Sequence, residues 1–270
     1  MSDTPEQIFN EALDRFRAGR LVEAAKILKK LHKRHPEIPD APHLLGVVLL
    51  QMERPAEAAK YLKKAAKIIP GSPEILTLLG CALRGGGKDK AGLKTLERAL
   101  KAGPGHADAH YNLARALADH GRLEEAASHY EAAVAADPGL TDAHYNLGLT
   151  LRKLGRNEDA VAAFEAALDH DPDQADVLSS LGAALNGMGR PGRAARHLMR
   201  AVAIDPGFAD AWANLGNAYK DLGRVGEAIE HLEKAVALNP SSPAMHSNLI
   251  FCKNYSPDFG PQDILAEARR

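Results

Sequence analysis

Apolar and small residues recur along the chain at fixed offsets within a 34-residue unit, most legibly from Ala209 to Ser242. Counted from Ala209 as position 1, they stand at Trp212 (4), Leu215 (7), Gly216 (8), Tyr219 (11), Ala228 (20), Leu232 (24) and Ala235 (27). Steps of three and four residues place each set on one face of a helix. The unit therefore predicts two amphipathic helices of about 12 to 14 residues, packed as an antiparallel hairpin.

The same offsets hold in seven consecutive units without an insertion: 5–38, 39–72, 73–106, 107–140, 141–174, 175–208 and 209–242. Position 32 is proline throughout, from Pro36 to Pro240, which stops the second helix and turns the chain into the next unit. Position 15 is Gly19, Gly87, Gly121, Gly155, Gly189 and Gly223, with Glu53 as the exception. Glycine enters the left-handed conformation that ends a helix without a Cβ clash, so the first helix is expected to stop there. Thr4, Pro5 and Gln7 read as a helix start, with a threonine cap, proline at the first helical position and a glutamine to close a capping box. Residues 1–4 are left as a tail.

The third unit departs from the pattern. Gly85, Gly86 and Gly87 surround its turn, and Gly92 replaces the alanine found at position 20 in the other units. Interior glycine is unfavourable in a helix, so this unit is expected to be the weakest and to act as a flexible joint. After Ser242 a first helix starts again at 243–256 without its usual second helix, and 257–270 adds a short amphipathic segment read as a truncated junction to a missing domain.

The period, the small residues at 8 and 20 and the proline at 32 resemble the tetratricopeptide repeat. The resemblance implies an all-α, right-handed superhelical solenoid whose first helices line a concave groove. In such a solenoid each repeat buries its faces only against its neighbours.

Composition agrees, since 45% of residues are hydrophobic but only 5% aromatic, which favours close helix packing over one large core. The net charge of −1 conceals a split. Residues 1–104 carry 19 Lys and Arg against 12 Asp and Glu, and residues 105–270 carry 15 against 23. No aromatic residues interleave with the basic ones, so no nucleic acid is expected as a partner. Cys81 and Cys252 are far apart, and no run of 18 apolar residues occurs, which leads to a cytoplasmic expectation with no membrane contact.

The twelve histidines form no metal-ligand motif, and His110, His144 and His246 all occupy position 4, where the repeat takes a large packing residue. No phosphate loop or nucleophile with its base is present, so the chain is not expected to be an enzyme or to hold a cofactor or metal. One polar feature recurs at position 6: Asn10, Asn112, Asn146, Asn214 and Asn248. The position lies a turn inside the helix, where asparagine neither caps nor favours helix. The row is either inherited by repeat duplication or bonded to the neighbouring helix, or its amides pair with the N–H and C=O of a bound peptide whatever that peptide's side chains are.

Such a ladder resembles the concave surface of the O-linked N-acetylglucosamine transferases, with Leu44, Leu78 and Ser180 interrupting it here. The stretch HSNLIFCKNYSPDFGPQDILAEARR also looks like the junction where bacterial SPINDLY-like relatives enter their glycosyltransferase domain. The resemblance implies a scaffold that binds extended polypeptide segments, as the substrate-selecting arm of such a transferase does, with Asn217 and Arg115 joining the asparagine row. The alternative is a free-standing adaptor. A weak self-association through Leu249, Phe251 and the C-terminal end is also expected.

Overall fold

The computed structural model describes residues 4–269. Residues 1–3 of the expected tail, and residue 270 of the last segment, lie outside them. Among the described residues the chain is all-α, with sixteen helices and no strand.

The first helices of successive hairpins are α1 (Pro5–Arg17), α3 (Asp40–Gln51), α5 (Pro73–Gly85), α7 (Ala107–Asp119), α9 (Thr141–Lys153), α11 (Ala175–Gly187) and α13 (Ala209–Asp221). Their partners are α2 (Leu21–Arg34), α4 (Pro55–Ile68), α6 (Asp89–Ala102), α8 (Leu123–Ala136), α10 (Asn157–His170), α12 (Pro191–Ile204) and α14 (Val225–Leu238). Two further helices follow, α15 (Pro243–Asn254) and α16 (Pro261–Ala268). The chain sorts into two compact units, one ending at Pro138 and the other beginning at Gly139. Within each, every helix packs on the next in chain order, as in a tetratricopeptide solenoid.

Local chemistry sets the helix ends. Thr4 accepts from the Gln7 backbone N–H at 3.3 Å, and the Gln7 side chain accepts from the Thr4 N–H at 2.8 Å, which closes the capping box that the sequence predicts. At position 15 the six glycines take φ between 67° and 77°. Glu53 takes the same left-handed turn at φ 55° and is the one non-glycine with positive φ among the described residues.

Inside each hairpin the small residue at position 8 faces the large one at position 24. A Cβ built on Gly148 lies 2.5 Å from the Phe164 ring, and one on Gly216 lies 2.6 Å from Leu232 Cγ. Phe164 and Leu232 are fully buried. The glycine thus lets a large side chain reach the first helix, and its propensity cost is offset by apolar burial of about 1.5–3 kcal/mol per side chain.

Gly85, Gly86 and Gly92 of the third repeat sit at tightly packed places. A Cβ on Gly92 would meet the Arg84 side chain and lie 2.8 Å from the Gly80 carbonyl oxygen. One on Gly85 would lie 3.0 Å from Pro55 Cβ, and one on Gly86 3.3 Å from Ala56 Cα. These glycines are sites of close approach, with Leu79, Leu83 and Leu96 buried around them. Propensity is the weaker term here, because it counts the helix alone while packing counts its neighbours.

Where position 4 is a nitrogen-bearing ring, it can link a repeat to the one before it. Trp212 Nε1 donates to the Pro206 carbonyl at 3.0 Å, and His110 Nε2 and His246 Nε2 lie 2.9 Å from Pro104 O and 3.0 Å from Pro240 O. A ring bearing an N–H serves there, which explains why histidine replaces tryptophan.

At the C-terminal end α16 packs on α15 through buried polar groups. His246 Nδ1 lies 2.6 Å from Glu267 Oε1, and Lys253 Nζ lies 3.5 Å from Glu267 Oε2 and 3.0 Å from Glu233. Lys253 and Glu267 are each more than nine-tenths buried, which the mutual pairing makes tolerable. Leu249 is buried, whereas Phe251 stays 49% exposed beside Tyr255 and under Lys220 Nζ at 5.6 Å.

Candidate functional site

Position 6 lies one turn after an acidic residue at position 2, which reads Glu6, Asp40, Glu74, Asp108, Asp142, Asp176 and Asp210 in the seven repeats. Acid in the first helical turn complements the helix dipole. The asparagine four residues on bonds back to that turn: Asn112 Nδ2 donates to Asp108 O and Asn146 Nδ2 to Asp142 O, each at 2.8 Å. This local bond is a structural use of position 6 that sequence reading alone does not reveal. It engages one N–H of each amide.

The structure separates the predicted residues into groups. Asn10 is exposed on α1. Asn112 is half-buried on α7, and Arg115 on the same helix places its guanidinium 5.6 Å from the Tyr111 ring centre. In the unit that begins at Gly139, Asn214 and Asn217 on α13 and Asn248 on α15 line one cavity of about 500 Å³. Asn146, on α9, is half-buried but does not line it; its neighbours Tyr145 and Leu149 do.

Sequence reading missed most of the remaining wall. Ser180 on α11 reaches Tyr145, with the hydroxyl oxygens 3.5 Å apart, and Asp210, Arg152 and Phe208 complete the polar and aromatic rim. Ser180 stands at position 6, where it appears as an interruption of the asparagine row, yet it supplies a hydroxyl to the same cavity. The repeated acid at position 2 was the available signal for Asp210.

Two amides, one on α11 and one on α13, differ in their hydrogen bonding. Asn186 on α11 donates from Nδ2 to the Asn214 carbonyl at 2.9 Å and so ties consecutive first helices together. Asn217 Oδ1 is buried without a hydrogen-bond partner. An unpaired buried acceptor is unfavourable by about 1–3 kcal/mol.

Burial shifts several titratable groups. Burial pushes the Cys81 and Cys252 thiols up from their ordinary value, which leaves them protonated near neutral pH. Burial pulls His129, His197 and His231 down, so these rings are neutral there. Among the described residues no group of three or more His, Cys, Asp or Glu is placed to hold a metal ion, and no helix is long and apolar enough to cross a membrane.

Comparison with known proteins gives family and fold. Three tetratricopeptide repeat models match, one over residues 15–80 and 117–185, one over 77–141 and one over 209–242. A search of curated protein sequences finds no match. Among solved structures, YrrB, a TPR protein with an unusual peptide-binding site, is similar at TM-score 0.66 and 23% identity, covering 73% of this chain and 99% of that one. Pseudomonas aeruginosa PilF is similar at TM-score 0.67 and 20% identity, covering 81% and 97%. The MamA protein gives TM-score 0.59 and 24% identity over 62% of this chain and 92% of its own. At these identities the structures report a shared fold, and the models matching half the chain report its family. The chain belongs to the tetratricopeptide repeat family.

Proposed function

We propose that the chain is a protein-interaction scaffold that holds extended polypeptide segments in the cavity lined by Asn214, Asn217 and Asn248. The observation that carries this reading is the buried, unpartnered Asn217 Oδ1 in a wall that also offers the amides of Asn214 and Asn248. An extended peptide presents one N–H and one C=O per residue, and a carboxamide matches both. Rotation about the soft terminal torsion of Asn217 brings its oxygen to a peptide N–H. YrrB, with the same fold, is a TPR protein with a peptide-binding site, which supports a peptide as the ligand class.

The finer assignment is the substrate-selecting arm of an O-linked N-acetylglucosamine transferase-like protein. Its support is the sequence resemblance of the asparagine row and of the stretch from His246 onward. A weak self-association through the C-terminal end is part of the same reading, supported by the exposure of Phe251 and Tyr255. Sedimentation velocity of Phe251→Asp against the parent chain tests that part, with weaker association expected in the variant.

The main test is the triple variant Asn214→Ala, Asn217→Ala and Asn248→Ala on an array of unstructured peptides. Binding should fall across peptides of unrelated sequence while the melting temperature changes little. Unchanged binding, or a collapse of stability with binding intact, overturns the proposal.

A further inference from the structure

A second groove lies on the unit that ends at Pro138, and its chemistry is unlike that of the asparagine cavity. It has a volume of about 380 Å³ and runs between the consecutive second helices α4 and α6, over α5. Lys63 and Lys67, one turn apart on α4, stand on one rim; Lys94 and Arg98, one turn apart on α6, stand on the other. All four are exposed, no acidic residue lines the groove, and among the described residues none of the four takes part in an ion pair. The floor is apolar, with Leu76, Ala66 and Ala91 beside the methyl-bearing Thr95.

The groove has an identifiable origin in the repeat pattern. Positions 4 and 23 meet at this place in a repeat. In the fourth repeat they are His110 and His129, with ring centres 5.2 Å apart, and in the seventh Trp212 and His231, 5.5 Å apart. The third repeat has Leu76 and Thr95 at these offsets. Two rings are replaced by two smaller side chains, and Thr95 turns its hydroxyl to the Ala91 carbonyl at 2.7 Å, leaving its methyl toward the apolar surroundings. Space opens where the fourth and seventh repeats seat a pair of rings.

We infer that this groove docks an acidic protein segment through a large apolar side chain seated over Leu76 and Thr95, with carboxylates on either side meeting Lys63, Lys67, Lys94 and Arg98. Charge complementarity selects the occupant. Two cation pairs facing each other across an apolar floor match an aliphatic or aromatic residue flanked by Asp and Glu. A segment with neither feature gains only one of the two contributions. The rim charges steer and are weakened by salt, and the apolar anchor gives the site its preference among anions.

The test uses the full chain and a fluorescent synthetic peptide in which Leu-Phe is flanked on both sides by Glu-Asp. Fluorescence anisotropy should show saturable binding that weakens by about tenfold when Lys63→Glu and Lys94→Glu are combined, and that weakens with added salt. Replacing Leu-Phe by Ala-Ala in the peptide should reduce affinity by a similar factor. Leu76→Trp with Thr95→His restores the ring pair of the seventh repeat, keeps all four cations and should also abolish the preference for Leu-Phe. The charge variants alter only exposed side chains, so they keep the test decisive if the filled groove fails to fold. The Asn214, Asn217 and Asn248 triple variant should bind this peptide normally, which separates the two sites. Equal binding of the Leu-Phe and Ala-Ala peptides overturns the proposal. So does a single-stranded oligonucleotide that binds as tightly and competes, and so does the absence of peptide binding at low salt.

Discussion

Gly92 packs its backbone against Gly80, so closely that a Cβ on Gly92 would stand 2.8 Å from the Gly80 carbonyl oxygen. Helix propensity alone favours Gly92→Ala by about 0.8–1 kcal/mol. Overpacking opposes it by about 1–3 kcal/mol, because the obstructing atoms include backbone that cannot swing aside. The expected outcome in urea unfolding is a net loss of stability. Hydrogen exchange on the parent chain should likewise show Leu83 to Leu96 protected as well as Leu151 to Phe164; early exchange there supports the loose-joint reading.

Glu53 offers the opposite case. It adopts φ 55° at a place where six other repeats use glycine. The left-handed conformation costs a non-glycine residue about 1–2 kcal/mol, part of which glycine returns through its freer unfolded chain. Glu53→Gly should therefore raise stability by about 0.5–1 kcal/mol, and Gly155→Ala should lower it by at least as much. A destabilised Glu53→Gly would mean that the glutamate side chain contributes more than its backbone costs.

Stability should also fall on mild acidification. Burial, the largest cause in each case, holds His32, His43, His129, His197 and His231 below the usual value of 6.5. Their unfolded forms bind protons first, so the contribution is fully present above 6.5 and is lost as pH drops toward the lowered folded values. His129 faces His110 with the two Nδ1 atoms 3.0 Å apart, which disfavours charging both rings. Thermal melts between about pH 7 and about pH 5 should show a decline that becomes shallower in His231→Gln. A flat profile excludes these rings as the source.

The ring nitrogen at position 4 can be tested by a reversal of the packing order. Trp212→Phe keeps an aromatic ring but loses the donor to Pro206, while Trp212→His is smaller and keeps a donor, as at positions 110 and 246. The bond is worth about 0.5–1.5 kcal/mol. Trp212→His should approach or exceed the stability of Trp212→Phe, whereas packing alone ranks phenylalanine higher.

The hairpins were legible because a 34-residue period constrains each offset seven times over, and the glycine at position 15 and proline at 32 act on the backbone locally. The packing role of the third-repeat glycines was less legible for the complementary reason: Gly80 and Gly92 have no side chain, and only their mutual approach discloses it. The asparagine row was visible, but its convergence was not. Asn214, Asn217 and Asn248 meet Tyr145 and Ser180 from four helices, while Asn112 and Asn146 turn back on their own first turns. Periodicity lists equivalent positions. It does not say which of them share a cavity, because that depends on the non-equivalent residues between them.

The bond from position 4 to the preceding proline carbonyl bears on how such an array can grow. At Trp212, His110 and His246 the later helix hairpin holds the donor and the repeat before it offers the acceptor. A copy of the fourth or the seventh repeat inserted in phase arrives with both halves of the joint, the ring N–H at position 4 and the proline at position 32, so duplication of these repeats can lengthen the array without inventing a new contact. Tryptophan and histidine are interchangeable in this joint, which gives drifting copies a route between two dissimilar codons through one shared N–H.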